Sequence, residues 1–173
     1  MTEPSKTVGV LVENDYQTLE VWYPLYRLRE AGHRTIVIGT GSATIYKSKD
    51  GYPVTVERNA DQVQAADLDA IVIPGGWAPD RLRQYPAVIS LVRQIYAAGK
   101  PMAAICHAGS ILVSAEILHG KRATSFVAIK DDMIAAGAQW VDAECVVDGN
   151  LITARRPDDL PAFMRALLAA LDR

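Results

Sequence analysis

What most constrains this chain is a rhythm of short apolar runs, each broken by a turn and followed by a stretch of helical spacing. TVGVLVE (7–13) is valine-rich and reads as a strand covered on both faces. Residues 17–31 follow with Val21, Leu25 and Leu28 at helical spacing, and Gly32 sits where a helix stops. RTIVIGT (34–40) is a second strand, and ATIYKSKDGYPVTVE (43–57) reads as two short strands around a KDGY turn. AADLDAIVIPGG (65–76) carries a third buried strand near 69–73, and a helix near 86–98 ends at Gly99. PMAAIC (101–106) is the fourth core strand, with a helix over about 107–116. A short strand near 122–125, a helix at 129–136, and AECVV and NLITA around a DGN turn (148–150) come next. A last amphipathic helix, 157–172, is opened by Pro157 and two aspartates. Strands alternating with helices predict a doubly wound, flavodoxin-like α/β fold, with a parallel sheet and helices on both faces.

Composition narrows the setting. A chain of 173 residues can bury a full core, and no repeat or Pro/Gly-rich linker divides it, so residues 1–173 are read as one domain. The formal net charge of −2 offers no basic excess for nucleic acid or an anionic membrane. The polar start MTEPSK does not read as a signal peptide, and no apolar run approaches the roughly 20 residues that span a bilayer. Cys106 and Cys145 form no CxxC pair, and His33, His107 and His119 show no metal spacing. The expectation is a protein of the reducing cytoplasm with two free thiols, no metal and no cofactor.

In open parallel sheets, ligands bind beyond the carboxyl ends of the strands where strand order reverses. The first strand leads there to Glu20, the third to Gly75-Gly76, and the fourth to Cys106-His107. Cys106 then sits on a sharp strand-to-helix turn that can expose a nucleophile, and a helix N-terminus favours thiolate; a packed core cysteine is the alternative. His107 could serve as a base or simply pack beside the turn. Glu20 could shuttle protons beside the thiol, or only complement the helix dipole. Gly75 and Gly76 allow close backbone approach, and their N–H groups with that of His107 could hold an oxyanion; a plain turn is the alternative. Cys145, inside AECVVDG, reads as core packing, while His33 and His119 read as loop and surface residues. GTGSAT (39–44) lacks the third glycine and the following helix of a dinucleotide loop.

AAICHAG, IPGGWAPDRLR and VVDGNLITARRPDDLPAF together resemble the DJ-1/PfpI superfamily, in its intracellular protease I branch, which shares the class I glutamine-amidotransferase-like fold. The resemblance covers about residues 7–171. It implies that Cys106 is the reactive nucleophile, His107 the histidine that follows it, Glu20 the acid that meets the thiol, and Gly76 the backbone donor opposite. It further implies that Asp80 reaches His107 from a neighbouring subunit, so that the protein self-associates as a dimer or hexamer. Two positions depart from the pattern. Asp80 stands where the archetypal protease has glutamate, and CHAG replaces the CHGP of many relatives.

Three functions follow as expectations. The first is a cofactor-independent enzyme acting on small reactive carbonyls, of the glyoxalase or deglycase type, with Cys106 adding to an aldehyde. The second is a cysteine peptidase for short peptides using Cys106, His107 and Asp80. The third is a stress protein whose Cys106 senses oxidant. A glutamine amidotransferase is excluded, because it needs a closely spaced histidine and carboxylate after the nucleophile, and His119 is followed by Gly120 and Lys121 with no later histidine.

Overall fold

The computed structural model describes residues 5–173, so most of the MTEPSK reading, which rests on residues 1–4, lies outside the described residues. The chain runs β1 (Thr7–Leu11), α1 (Thr18–Glu30), β2 (Arg34–Gly39), β3 (Ile45–Lys47), β4 (Pro53–Thr55), β5 (Arg58–Asn59) and β6 (Ala70–Ile73). It continues with α2 (Ala78–Leu82), α3 (Pro86–Ala97), β7 (Met102–Ile105), α4 (Gly109–Ser114), β8 (Arg122–Ala123), α5 (Lys130–Ala135), β9 (Gln139–Trp140), β10 (Cys145–Asp148), β11 (Leu151–Ala154) and α6 (Leu160–Leu171).

Seven strands form one sheet in the order β10-β11-β7-β6-β1-β2-β5. Every pairing is parallel except β10 against β11, which are joined by the DGN turn. A two-residue turn can only reverse a strand, whereas each parallel neighbour needs a crossover. The central strands are apolar throughout because both sheet faces are covered: all four residues of β6, β7 and β11 are buried. Helices α1 and α6 pack together on one face, and α3, α4 and α5 group on the other. This is the predicted doubly wound α/β arrangement, with the order reversing between β1 and β6.

Two features escaped the sequence reading, and a third was read as a strand without its pairing. β5 and β9 are only two residues long and carry no periodic pattern. α2 spans five residues and is started by Pro79, too short to show a helical stripe. The segment near 122–125 forms a strand, β8, but it pairs with β9 in a separate two-stranded piece and not with the main sheet. No helix among the described residues is long and apolar enough to cross a membrane.

Ile71 on β6 is fully buried at the centre of the sheet. Ile71→Ala should cost about 2–5 kcal/mol through lost burial and the cavity left behind, and Ile71→Val about 0.5–1.5 kcal/mol. Urea unfolding monitored by circular dichroism measures both.

Candidate active site

The site is laced together by backbone before any side chain acts. Gln17 caps α1, its side-chain oxygen accepting from the N–H groups of Leu19 at 2.6 Å and Glu20 at 3.0 Å. The segment ahead of the cap is sewn to the turn after β6. Gln17 N–H donates to Gly75 O at 3.2 Å, and Trp77 N–H to Asp15 O at 2.8 Å. Gly76 has φ +74, and a Cβ there would stand 2.4 Å from the Gln17 nitrogen. Only glycine fits both the conformation and the space. The β3–β4 hairpin joins the same knot, with Asp15 N–H donating to Lys47 O at 2.8 Å and Lys49 N–H to Tyr16 O at 3.0 Å.

On this frame Glu20 is fully buried. Its Oε2 accepts from Gly75 N–H at 2.7 Å. Its Oε1 has no hydrogen-bond partner among the described residues, and the Cys106 thiol is the titratable side chain beside it that favours its charged form. Cys106 follows β7 directly, with φ +62, and its residue is 7% exposed. A left-handed conformation at a non-glycine residue costs about 1–3 kcal/mol and aims the side chain away from the path of strand and helix. Gly75 makes room for both partners: a Cβ there would lie 2.6 Å from Glu20 Oε2 and 2.7 Å from Cys106 Cβ. The backbone N–H groups of Gly76 and His107 favour negative charge on the sulfur.

Burial sets the ionisation of the pair. It pushes Glu20 up to about 7, against the stabilising pull of the Gly75 N–H, the thiol and the Lys49 charge. It pushes the Cys106 thiol up to about 12, aided by the Glu20 charge and opposed by the two backbone donors. The expectation of a readily ionised thiol at a helix N-terminus is therefore corrected. The helix that follows is only six residues long, and desolvation beside a carboxylate outweighs it. While Glu20 is charged, the proton stays on Sγ.

His107 Nδ1 lies 3.4 Å from Cys106 Sγ. Its ring is flanked by Phe126 at 5.0 Å and Trp77 at 5.1 Å between centroids. Burial lowers its pKa more than the Asp80 charge raises it, so the imidazole is neutral near pH 7. Asp80 is exposed on α2, and its side chain makes no hydrogen bond or ion pair among the described residues. Its charge nonetheless acts on His107 of its own chain.

Cys106 and His107 border a cavity of about 240 Å³, whose wall also includes Trp77, Phe126, Lys49 and Arg156. The structure thus brings together Glu20, Gly75, Gly76, Cys106 and His107, with Asp80 nearby. The sequence reading missed Lys49 and Arg156. Arg156 carried a signal, since it follows the carboxyl end of the parallel strand β11; Lys49 carried none, since it lies on the turn of the separate antiparallel β3–β4 hairpin. Cys145 lies elsewhere, half-buried on β10, its thiol pushed up to about 11 by burial and by Glu144 and Asp159. His119 is exposed, and His33 accepts from Lys6 N–H at 3.3 Å, both away from the site.

A strained cysteine between a parallel strand and a helix, on the rim beside the point where sheet order reverses, defines the α/β proteins with a nucleophile elbow. The chain belongs to the DJ-1/PfpI family, whose profile matches residues 6–170. It is 45% identical over 161 residues to Deglycase PH1704 of Pyrococcus horikoshii, covering 93% of this chain and 96% of that protein. It is 38% identical to protein/nucleic acid deglycase 2 of Escherichia coli, covering 96% and 98% of the two chains. Its fold matches a solved two-domain protein of Anabaena variabilis with DJ-1/ThiJ/PfpI-like and ferritin-like domains, at a TM-score of 0.95 and 39% identity. That match covers 97% of this chain and 48% of the longer one.

The buried carboxyl group yields a stability test. Between pH 4.5 and about 7 the folded protein keeps the Glu20 proton while the unfolded chain releases it, so stability falls as pH rises through that window. Glu20→Gln has no proton to lose. Relative to wild type it should gain about 2–3 kcal/mol between pH 5 and pH 8, because each pH unit crossed inside the window is worth about 1.4 kcal/mol. Urea melts at the two pH values measure this, and a difference independent of pH would show that Glu20 titrates normally.

Proposed function

We propose that the chain is a cysteine-dependent enzyme acting on small reactive carbonyls, of the glutathione-independent glyoxalase or deglycase type. The observation that carries this reading is the contact of the Cys106 thiol with a buried carboxyl group whose pKa is about 7. A general acid–base group works best when its pKa lies near the working pH. The names of the deglycase relatives agree with it.

With methylglyoxal the reaction balances without a cofactor. Sγ attacks the aldehyde carbon as Glu20 takes the thiol proton, and the carbonyl oxygen receives a proton to give a hemithioacetal. Moving the proton discharges Glu20, which removes the charge that opposes thiolate and leaves a carboxylic O–H to donate to the sulfur. The N–H groups of Gly76 and His107 are placed for negative charge on sulfur or on the adjoining oxygen. Glu20 or neutral His107 then carries a proton from the first carbon to the second, converting the hemithioacetal to a lactoyl thioester. Water cleaves the C–S bond, releasing lactate and restoring the thiol. For a deglycase substrate, the same chemistry frees the amine from its carbonyl adduct.

A second reading is a cysteine peptidase of the PfpI type. It is favoured by the 3.4 Å contact of His107 Nδ1 with Sγ and by the pull of Asp80 on that ring. The exposed Asp80 carboxylate is also available to His107 of a second copy in a dimer or hexamer. In this reading Asp80→Ala lowers dye release from a short peptide amide by tenfold or more, with methylglyoxal turnover as the comparison.

For the carbonyl reading, Cys106→Ser and Glu20→Gln should each lower lactate formation from methylglyoxal by at least a hundredfold in glutathione-free buffer. In wild type, kcat/KM should climb as pH rises through about 7, where Glu20 loses its proton and can accept that of the thiol. A flat profile from pH 5.5 to 8.5, or lactate formation that survives Cys106→Ser, would remove the basis of this reading.

A further inference from the structure

The cavity above Cys106 is larger and more charged than a neutral three-carbon dicarbonyl requires. Its volume of about 240 Å³ equals the share of roughly eight liquid waters, against five non-hydrogen atoms in methylglyoxal. Its charged lining residues are Lys49 and Arg156, with no carboxylate among them. Neither cation is neutralised. Lys49 has no ion-pair or hydrogen-bond partner for its side chain among the described residues. Arg156 meets only Asp158, at 3.9 Å, with both side chains more than half exposed, an arrangement worth little. The Lys49 charge reaches the reacting groups, since it lowers the pKa of both Glu20 and His107. Trp77 and Phe126 supply apolar wall to the same cavity. A cation beside a half-apolar pocket holds an anion more strongly than the same cation in open water.

We propose that Lys49 and Arg156 form an anion subsite over Cys106, so that the compound taken by this cavity carries a carboxylate or a phosphate beside its reactive carbonyl. The proposal deepens the carbonyl-enzyme reading and rests on it for the carbonyl, while the subsite itself is measured apart from turnover. Arg156 offers the fork that matches two anionic oxygens, and Lys49 a point charge. The anion would fix which end of the substrate faces the sulfur, and its affinity would fall as salt rises.

The test uses the whole chain labelled with nitrogen-15. Acetate and inorganic phosphate are titrated at pH 7 while the amide resonances of Gly76 and His107 are followed. Saturable shifts are expected from at least one anion, weakened tenfold or more in Lys49→Gln/Arg156→Gln and retained in Lys49→Arg. Saturation by phosphate alone assigns a phosphate-bearing substrate, and by acetate alone a carboxylate-bearing one. A chemical probe runs beside it. Iodoacetate and iodoacetamide each form an S–C bond to Cys106, expelling iodide and releasing the thiol proton to solvent. The ratio of the anionic to the neutral reagent's rate should fall at least fivefold in the double variant. Shifts that stay linear, together with a rate ratio equal in wild type and the double variant, overturn the subsite. If that happens while methylglyoxal is still turned over, the subsite fails and the enzyme reading stands. Saturable anion binding without turnover of methylglyoxal or of a carboxylate- or phosphate-bearing dicarbonyl keeps the subsite and removes the enzyme reading.

Discussion

A fully buried carboxyl group and a thiol that only its cavity exposes lie side by side, and most of the molecule around them is arranged to hold them there. Glu20 has one donor, Gly75 N–H, and otherwise faces sulfur. That environment is costly for a carboxylate, which is why its pKa rises instead of falling as it does at most helix N-termini. The thiol is raised further because the carboxylate is its neighbour. Neither group ionises freely while the other is charged, so the pair behaves as a store for one proton. A reaction that consumes the thiol proton and later returns it can use that store without exchanging with solvent.

Holding the pair requires three elements to converge within a few ångströms. β1 runs into the loop that ends at the Gln17 cap, β6 into Gly75-Gly76, and β7 into Cys106. Because β1, β6 and β7 are adjacent and parallel, their carboxyl ends share one rim. An antiparallel sheet would send every second strand end to the opposite edge. The strain at Cys106 and the desolvation of Glu20 are both unfavourable locally. They are offset by strands buried on both faces, where each fully covered Val, Leu or Ile side chain contributes about 1.5–3 kcal/mol. A helix break would be tolerable here for the same reason: Pro24 lies inside α1 and cannot donate to Glu20 O, yet α1 is clamped by the sheet and by α6.

How much of this was legible in the sequence follows from which signals are periodic. β1, β6, β7 and α1 carry long, unmixed patterns, and their order alone placed Glu20, Gly75, Gly76 and Cys106 on one rim. β5, β9 and α2 are too short to carry a pattern, and β8, read as a strand near 122–125, pairs with one of these unread pieces, β9. The protonation of the site was misread because helix position is visible in sequence while burial is not. The dipole of a six-residue helix is easily inferred, but a sulfur 7% exposed beside a fully buried carboxyl group is a property of packing. Lys49 and Arg156 were passed over because charged residues in turns ordinarily face solvent. Only the pairing of Asp15 with Lys47 and of β11 with β7 brings those turns over the thiol.

The site therefore has two layers that vary under different rules. The floor is fixed: Gly75 has no room for a methyl group, Gly76 has no alternative conformation, and Cys106 is locked by its backbone. Substitution there disturbs the fold as well as the chemistry. The rim is free: Lys49 sits on a hairpin turn and Arg156 on an exposed connection, and neither side chain supports the core. His107 lies between the layers, its ring wedged by Trp77 and Phe126 and its Nδ1 against the sulfur. Such a division lets one proton-transfer unit serve carbonyl compounds of different charge, with the floor setting what reaction occurs and the rim setting what is admitted to it.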